Sequence, residues 1–208
     1  LTSFPQTAKS FDRGIYTGTP MRNSLFDRNR AKAREKFNLD MRPTVLVTGG
    51  GNGSEKINNA VRNIAPKLCK DYNIIHLCGK GKAVPLSVYG YKQIEFESDM
   101  GLVYSCTDVA VSRCGSNTAN ELISLKIPSL FIPLENKRSR GDQVKNAEYF
   151  KNKKLCRVLK ESELTEQKLI ENIYALFNDT KLKKALDETS VKCGNEKILK
   201  EIINTLKN

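Results

Sequence analysis

Asp108-Val-Ala-Val-Ser-Arg-Cys-Gly-Ser-Asn-Thr-Ala-Asn-Glu121 reads as a buried strand running straight into a helix. The short apolar run from Asp108 to Ser112 predicts the strand, Cys114-Gly115 a turn, and Ser116-Asn117-Thr118 the opening of the helix. The first N–H groups of a helix have no partner within it, and the helix dipole is positive there. At the carboxyl end of a strand this makes an anion site, and the obvious anion is a phosphate. Glu121 adds an acceptor beside it, and a carboxylate next to a phosphate site suits sugar hydroxyls. The same residues also allow a purely structural role, because Thr118-x-x-Glu121 has the spacing of a capping box.

Outward from this stretch the chain alternates short apolar strands with helices. Strands are predicted at Thr44–Thr48, Asn73–Gly79, Gln93–Glu97, Pro128–Pro133 and Leu155–Leu159. Helices are predicted at Ser54–Cys69, Asp99–Cys106, Ser116–Leu125 and Gln143–Lys151, then near Glu166–Phe177, Lys181–Glu188 and Asn195–Leu206. Such alternation means parallel βαβ units, hence an α/β, Rossmann-like doubly wound sheet buried on both faces. Ligands of such sheets lie beyond the strands' carboxyl ends. The loops there are Gly49–Gly53, Gly79–Lys82, Glu97–Asp99, Cys114–Glu121 and Pro133–Gln143, including the polar loop Glu135-Asn-Lys-Arg-Ser-Arg-Gly-Asp142. Their convergence on one edge is the strongest argument from the residues for a ligand site. Residues 1–43 show no clear core pattern: Gly14–Arg22 reads as an extended connector with a turn, and Asn29–Phe37 as a short basic helix.

Length suits one large domain or two small ones. No run approaches the roughly 18 apolar residues of a membrane span. The chain begins Leu1-Thr2-Ser3-Phe4-Pro5, without an initiator Met, and is expected to be a fragment of a longer protein. Its 35 Lys and Arg outnumber 23 Asp and Glu, giving a formal charge of +12. That balance favours anionic partners such as nucleic acid, an anionic lipid surface or phosphorylated small molecules. Aromatic residues make up only 7% and no nucleic-acid-binding signature accompanies the charge, so no nucleic acid is expected. The six cysteines form no C-x-x-C pair, and several sit inside apolar runs. They read as buried thiols of a reducing compartment, which places the protein in the cytoplasm.

Gly49-Gly-Gly-Asn-Gly53 lets backbone approach a ligand closely, or it is simply a tight strand-to-helix turn. It lacks the third Gly of the dinucleotide fingerprint, where Lys56 stands, and the Gly-Lys-Ser/Thr of a P-loop. Nicotinamide chemistry and ATP hydrolysis are both disfavoured. His76, the single histidine, falls inside a strand and is expected to be a packed or hydrogen-bonded core residue. No metal site, cofactor or Ser/His/Asp or Cys/His set is expected, so these residues are expected to hold a ligand without supplying a base. Asp142 and Gln143 either hydrogen-bond a sugar or merely start a helix, and Arg22, after Gly18-Thr-Pro20-Met, can reach a phosphate or hold the connector.

Thr17-Gly-Thr-Pro-Met-Arg22, Val47-Thr-Gly-Gly-Gly-Asn-Gly-Ser54, Glu95-Phe-Glu-Ser-Asp-Met100, Ser112-Arg-Cys-Gly-Ser-Asn-Thr-Ala-Asn-Glu121 and Asp142-Gln-Val-Lys-Asn-Ala147 follow one another in the order of a known family. Over about residues 14–160 the chain resembles the C-terminal half of the bacterial UDP-N-acetylglucosamine–lipid-linked muramoyl-pentapeptide N-acetylglucosaminyltransferases. The resemblance implies a GT-B fold, with an active site between two Rossmann-like domains. It implies the inverting step from lipid I to lipid II of peptidoglycan synthesis, at the cytoplasmic membrane face, and through it a part in cell-wall growth, cell shape and division. Residues 1–43 would be an interdomain connector with its short basic helix, and residues 44–208 the UDP-sugar domain. By the same resemblance Glu121 holds the ribose hydroxyls of UDP, while Gly115, Ser116, Asn117 and Thr118 lie at the helix start over the diphosphate. Gly51 and Gly53 face the phosphates, Arg22 sits near the nucleotide, the backbone at Glu97 meets the uracil, and Gln143 with Asp142 reads the N-acetylglucosamine hydroxyls. The chain departs from the family in lacking its N-terminal Gly-rich loops, acceptor site and candidate base, so no catalytic residue is assigned here. Ser116-Asn117 is more polar than the usual Ala-Leu, Gly51 replaces a common Ser, and the loop at 135–142 is unusually basic.

Three functions follow as expectations. The first is the donor-binding half of a glycosyltransferase, which binds UDP-N-acetylglucosamine but turns nothing over without the domain that takes lipid I. The second is a naturally short donor-binding subunit of a dolichol-linked N-acetylglucosaminyltransferase. The third is a non-catalytic basic nucleotide- or nucleic-acid-binding module, which charge alone supports.

Overall fold

A computed structural model describes residues 1–135, 141–191 and 193–206. Six strands form one parallel sheet: β1 (Thr44–Thr48), β2 (Asn73–Leu77), β3 (Tyr91–Ile94), β4 (Val109–Ser112), β5 (Ser129–Phe131) and β6 (Arg157–Val158). Their spatial order is β3-β2-β1-β4-β5-β6. This is the doubly wound order, in which the crossover direction reverses between the first strand and its second neighbour. The reversal here lies between β1 and β4, which pair with Thr48 opposite Ser112.

Nine helices surround the sheet among the described residues: α1 (Pro5–Ala8), α2 (Arg30–Phe37), α3 (Glu55–Leu68), α4 (Met100–Cys106), α5 (Ser116–Ser124), α6 (Asp142–Asn152), α7 (Glu166–Asn178), α8 (Thr180–Glu188) and α9 (Asn195–Leu206). α3 packs against α7, and α2 against α4. β1, β2 and β4 are buried along their whole length, which is why they read as apolar runs rather than alternating ones. Short polar side chains start several helices. Asn29, Ser54, Asp99, Thr165 and Asp179 each accept an N–H from the first turn of the helix that follows.

The third strand differs from its expected span of Gln93–Glu97. Pairing runs from Ile74 opposite Tyr91 to Leu77 opposite Ile94, so Glu95, Phe96 and Glu97 lie beyond the sheet edge. The alternation of Ile94 and Phe96 imitated a strand, yet Phe96 is 70% exposed. The last strand shortens to Arg157–Val158 because its pairing with β5 stops there. Residues 1–43, which lack a periodic pattern, still contribute Met21, Leu25, Ala33 and Phe37 to the core. A 3-10 turn at Asn23–Leu25 meets the start of α4 so closely that a Cβ on Gly101 would stand 2.2 Å from the Ser24 carbonyl oxygen.

His76 is fully buried in β2, as a core residue should be. Asn58 donates its amide to the Cys78 carbonyl at 2.8 Å, which leaves its oxygen facing His76 Nε2 at 2.9 Å. Nε2–H therefore donates to Asn58, and Nδ1 accepts from the Tyr91 hydroxyl at 2.6 Å. Burial, helped by the charge of Arg62, pushes this imidazole down to about 3. An unfolded histidine titrates near 6.5, so between about pH 6.5 and 3 the unfolded chain binds the extra proton and stability falls as pH falls. The expected slope from this residue is up to about 1.4 kcal/mol per pH unit. Urea unfolding at pH 7 and pH 5 should show a smaller loss in His76→Gln than in the native chain. Equal losses would mean His76 is not held neutral.

Candidate functional site at the sheet's switch point

Beyond Thr48 the chain makes the tight turn Gly49–Gly53. Gly50 N–H donates to Thr48 Oγ1 at 3.1 Å, and Gly53 N–H to the Gly50 carbonyl at 2.9 Å. The two glycines named in the sequence differ in role. A Cβ on Gly53, whose φ is +67°, would lie 1.9 Å from the Cys78 carbonyl oxygen, whereas one on Gly51 meets nothing within 4 Å. Gly53 is thus needed for packing and Gly51 is open toward the cavity described below. Gly53→Ala should lower stability by more than about 1–2 kcal/mol, the left-handed penalty plus a backbone clash. Gly51→Ala should leave the melting temperature nearly unchanged, which thermal melts of the two variants check.

Beyond Ser112 the chain turns through Arg113, Cys114 and Gly115 into α5. Gly115 is the residue before the first helical turn, so no side chain caps this helix. Thr118 is the third residue of α5 and does not precede it, which rules out the capping box with Glu121. Glu121 instead stands one turn further on and accepts the Tyr104 hydroxyl at 2.8 Å. Burial raises the Glu121 carboxyl above its ordinary value, while the Tyr104 hydroxyl and the charge of Arg22 act against that rise.

A cavity of about 260 Å³ opens here, with Arg22, Gly51, Glu97, Thr118 and Glu121 all in its wall. Five residues scattered over a hundred positions of sequence therefore share one space, with Thr48, Phe96, Met100 and Tyr104 between them. Gly115, Ser116 and Asn117 form the adjoining helix start but not the wall. Glu97 is ion-paired with Lys36 at 2.7 Å and accepts the Asp99 N–H at 2.9 Å. Burial works to raise its carboxyl, but these two partners outweigh it and hold it below the ordinary range. Its side chain is thereby held in place by two partners.

Asp142 and Gln143 begin α6, away from this cavity wall. Gln143 Oε1 accepts the Leu134 N–H at 3.1 Å, and Asn146 donates to the Cys114 carbonyl at 3.0 Å. The start of α6 is thereby tied to the turn that leads into α5. Residues 136–140 of the basic loop predicted between 135 and 142 lie outside the described residues.

Two side chains that sequence reasoning passed over belong to this architecture. Tyr104 gave no signal, because it sits among Leu102, Val103 and Cys106 in a helix whose residues are nearly all buried. Arg113 did carry one, since a charge directly after Val109-Ala-Val-Ser must find a partner inside. It donates to the Ile132 carbonyl at 3.0 Å and Ser54 Oγ at 2.7 Å, and pairs with Glu161. Glu161 also faces Lys56 at 3.5 Å.

The strand order and helix layers define a Rossmann-like domain of the kind that forms half of a GT-B glycosyltransferase. Solved structures agree on the fold. Acinetobacter baumannii MurG superposes with a TM-score of 0.63 at 19% identity, over 89% of this chain and 56% of that one. The glycotransferase of kitacinnamycin gives 0.66 at 18%, over 84% and 43%. The chain belongs to glycosyltransferase family 28, whose C-terminal domain model matches residues 44–206. Among its relatives is the UDP-N-acetylglucosamine–N-acetylmuramyl-(pentapeptide) pyrophosphoryl-undecaprenol N-acetylglucosamine transferase of Oceanobacillus iheyensis, 40% identical over 85% of this chain and 51% of that protein. The namesake enzyme of Clostridium tetani is 36% identical over 95% of this chain and 57% of its own length. The chain thus spans about half the length of the curated relatives it matches. No helix of the described residues is long and apolar enough to cross a membrane.

Proposed function

We propose that this chain is the donor-binding half of an inverting transferase that moves N-acetylglucosamine from UDP-N-acetylglucosamine to lipid I, giving lipid II. The observation that carries this reading is the Glu121 carboxylate, which faces a cavity beside a helix start that no side chain caps. UDP fits there with its uracil at the Glu97 backbone, its ribose hydroxyls on Glu121 and its diphosphate over Gly115 to Thr118, near Gly51 and Arg22. Asp142 and Gln143, on the tethered start of α6, read the sugar. Gly53 supports the glycine turn from behind.

In the reaction the acceptor hydroxyl oxygen attacks C1 as the bond from C1 to the diphosphate oxygen breaks, with inversion at C1. UDP leaves with the bonding electrons, and the positive end of α5 stabilises the charge that develops on it. The hydroxyl proton passes to a base in the partner half, which also holds lipid I. Residues 1–43 connect the halves, and residues 44–208 form the donor domain. The formal charge of +12 suits work on the anionic inner face of the cell membrane, and the product supports wall growth, shape and division.

Calorimetric titration with UDP-N-acetylglucosamine, UDP-N-acetylgalactosamine and UDP tests the reading. Binding of the first, competition by UDP and a roughly 5- to 10-fold weaker galacto epimer are expected, the cost of about one hydrogen bond. The isolated chain should transfer nothing to lipid I. Transfer by the chain alone, or indifference of the full-length protein to every uridine nucleotide, would overturn it.

A further inference from the structure

Tyr104 is 1% exposed, yet its hydroxyl reaches the one carboxylate that the cavity shares with the start of α5. Burial, and after it the negative charge of Glu121, raise this phenol well above its ordinary value, so it stays protonated and can only donate to that carboxylate. A carboxylate offers about four lone-pair sites on two oxygens. With one site on Oε2 taken by Tyr104, the other oxygen and the outer side of Oε2 remain for two donors. Two adjacent hydroxyls of a ribose are such a pair. We infer that Tyr104 is a positioning residue that holds Glu121 ionised and turned for a vicinal diol, so that it sets both the preference for ribose and the acid limit of nucleotide binding. This inference rests on the donor-site reading above.

Burial favours the neutral form of Glu121, and the Tyr104 hydroxyl opposes burial before the guanidinium of Arg22 does. Glu95 and Glu97, from the segment between β3 and α4, line the same cavity. Without the phenol, burial is opposed by Arg22 alone. A protonated Glu121 would then present its own O–H where a hydroxyl of the ligand has to donate.

Tyr104→Phe keeps the ring that fills the core and removes only the hydroxyl, and a melting curve confirms that the variant folds. Two readouts decide the inference. In the full 208-residue chain without nucleotide, carbon-13 NMR titration of the Glu121 carboxyl should move to higher pH in Tyr104→Phe. In calorimetry, native protein should prefer UDP over 2′-deoxy-UDP by about tenfold, and Tyr104→Phe by only about two- to threefold, with its acid limb of binding shifted upward. An unmoved carboxyl titration and an unmoved ribose preference would overturn the inference. If the full-length protein binds neither nucleotide, the donor-site reading fails, while the NMR titration still decides whether Tyr104 governs Glu121.

Discussion

Arg113→Ala should destabilise the domain by about 3–5 kcal/mol. Arg113 and Glu161 each expose only 9% of their side chains, so removing the guanidinium leaves a buried carboxylate with only the exposed Lys56 ammonium, 3.5 Å away, to face it. The same loss frees Ser54, which starts α3, and the Ile132 carbonyl after β5. One side chain thus ties the glycine turn, the end of β4, the end of β5 and the turn at Glu161–Glu163. Urea unfolding reads the effect as a drop in the midpoint. Replacing both partners with apolar residues of similar volume, Arg113→Met with Glu161→Leu, should recover much of the loss, because the penalty comes from the orphaned charge. A loss below about 1 kcal/mol in Arg113→Ala would show that water reaches Glu161 freely.

Glu121→Ala should weaken UDP-N-acetylglucosamine about 10- to 100-fold, as expected for losing roughly 1.5–3 kcal/mol of hydrogen bonding to a charged group. Glu121→Gln separates charge from contact. Its amide oxygen still accepts from Tyr104, but its nitrogen cannot accept a ribose hydroxyl, so binding weakens while the fold is kept. The stability sign runs opposite to the binding sign. The Glu121 carboxyl is raised by burial in the folded state, so the folded protein resists its ionisation. Stability is fully present below the ordinary carboxylate value and is lost as pH rises through the raised one. At pH 7, therefore, Glu121→Gln should melt higher than the native chain even as it binds worse. Calorimetry and thermal melting at that pH check both halves, and a variant that binds normally would remove Glu121 from the site.

Much of this was legible in the residues. Continuous apolar strands alternating with helices marked a parallel sheet, and a strand running into Cys114-Gly115 marked the edge where the cavity opens. The edge of the sheet was harder, because Ile94 and Phe96 alternate like strand residues although Phe96 belongs to the cavity rim. Thr118-x-x-Glu121 has capping-box spacing, and only the helix boundary at Ser116 shows that Glu121 is turned elsewhere. Tyr104 could not be found, since a buried tyrosine in a short apolar helix looks the same whether or not its hydroxyl has a task. The connector was under-read for a related reason: Met21 and Leu25 enter the core from an irregular segment, where periodicity gives no signal.

The most direct test of the donor site is a crystal structure of the chain with UDP bound. The expected structure has both ribose hydroxyls on the Glu121 carboxylate, the diphosphate over the N–H groups at the start of α5 and the uracil against the backbone at Glu97. UDP seated elsewhere on the sheet edge, or with its ribose turned away from Glu121, would contradict it.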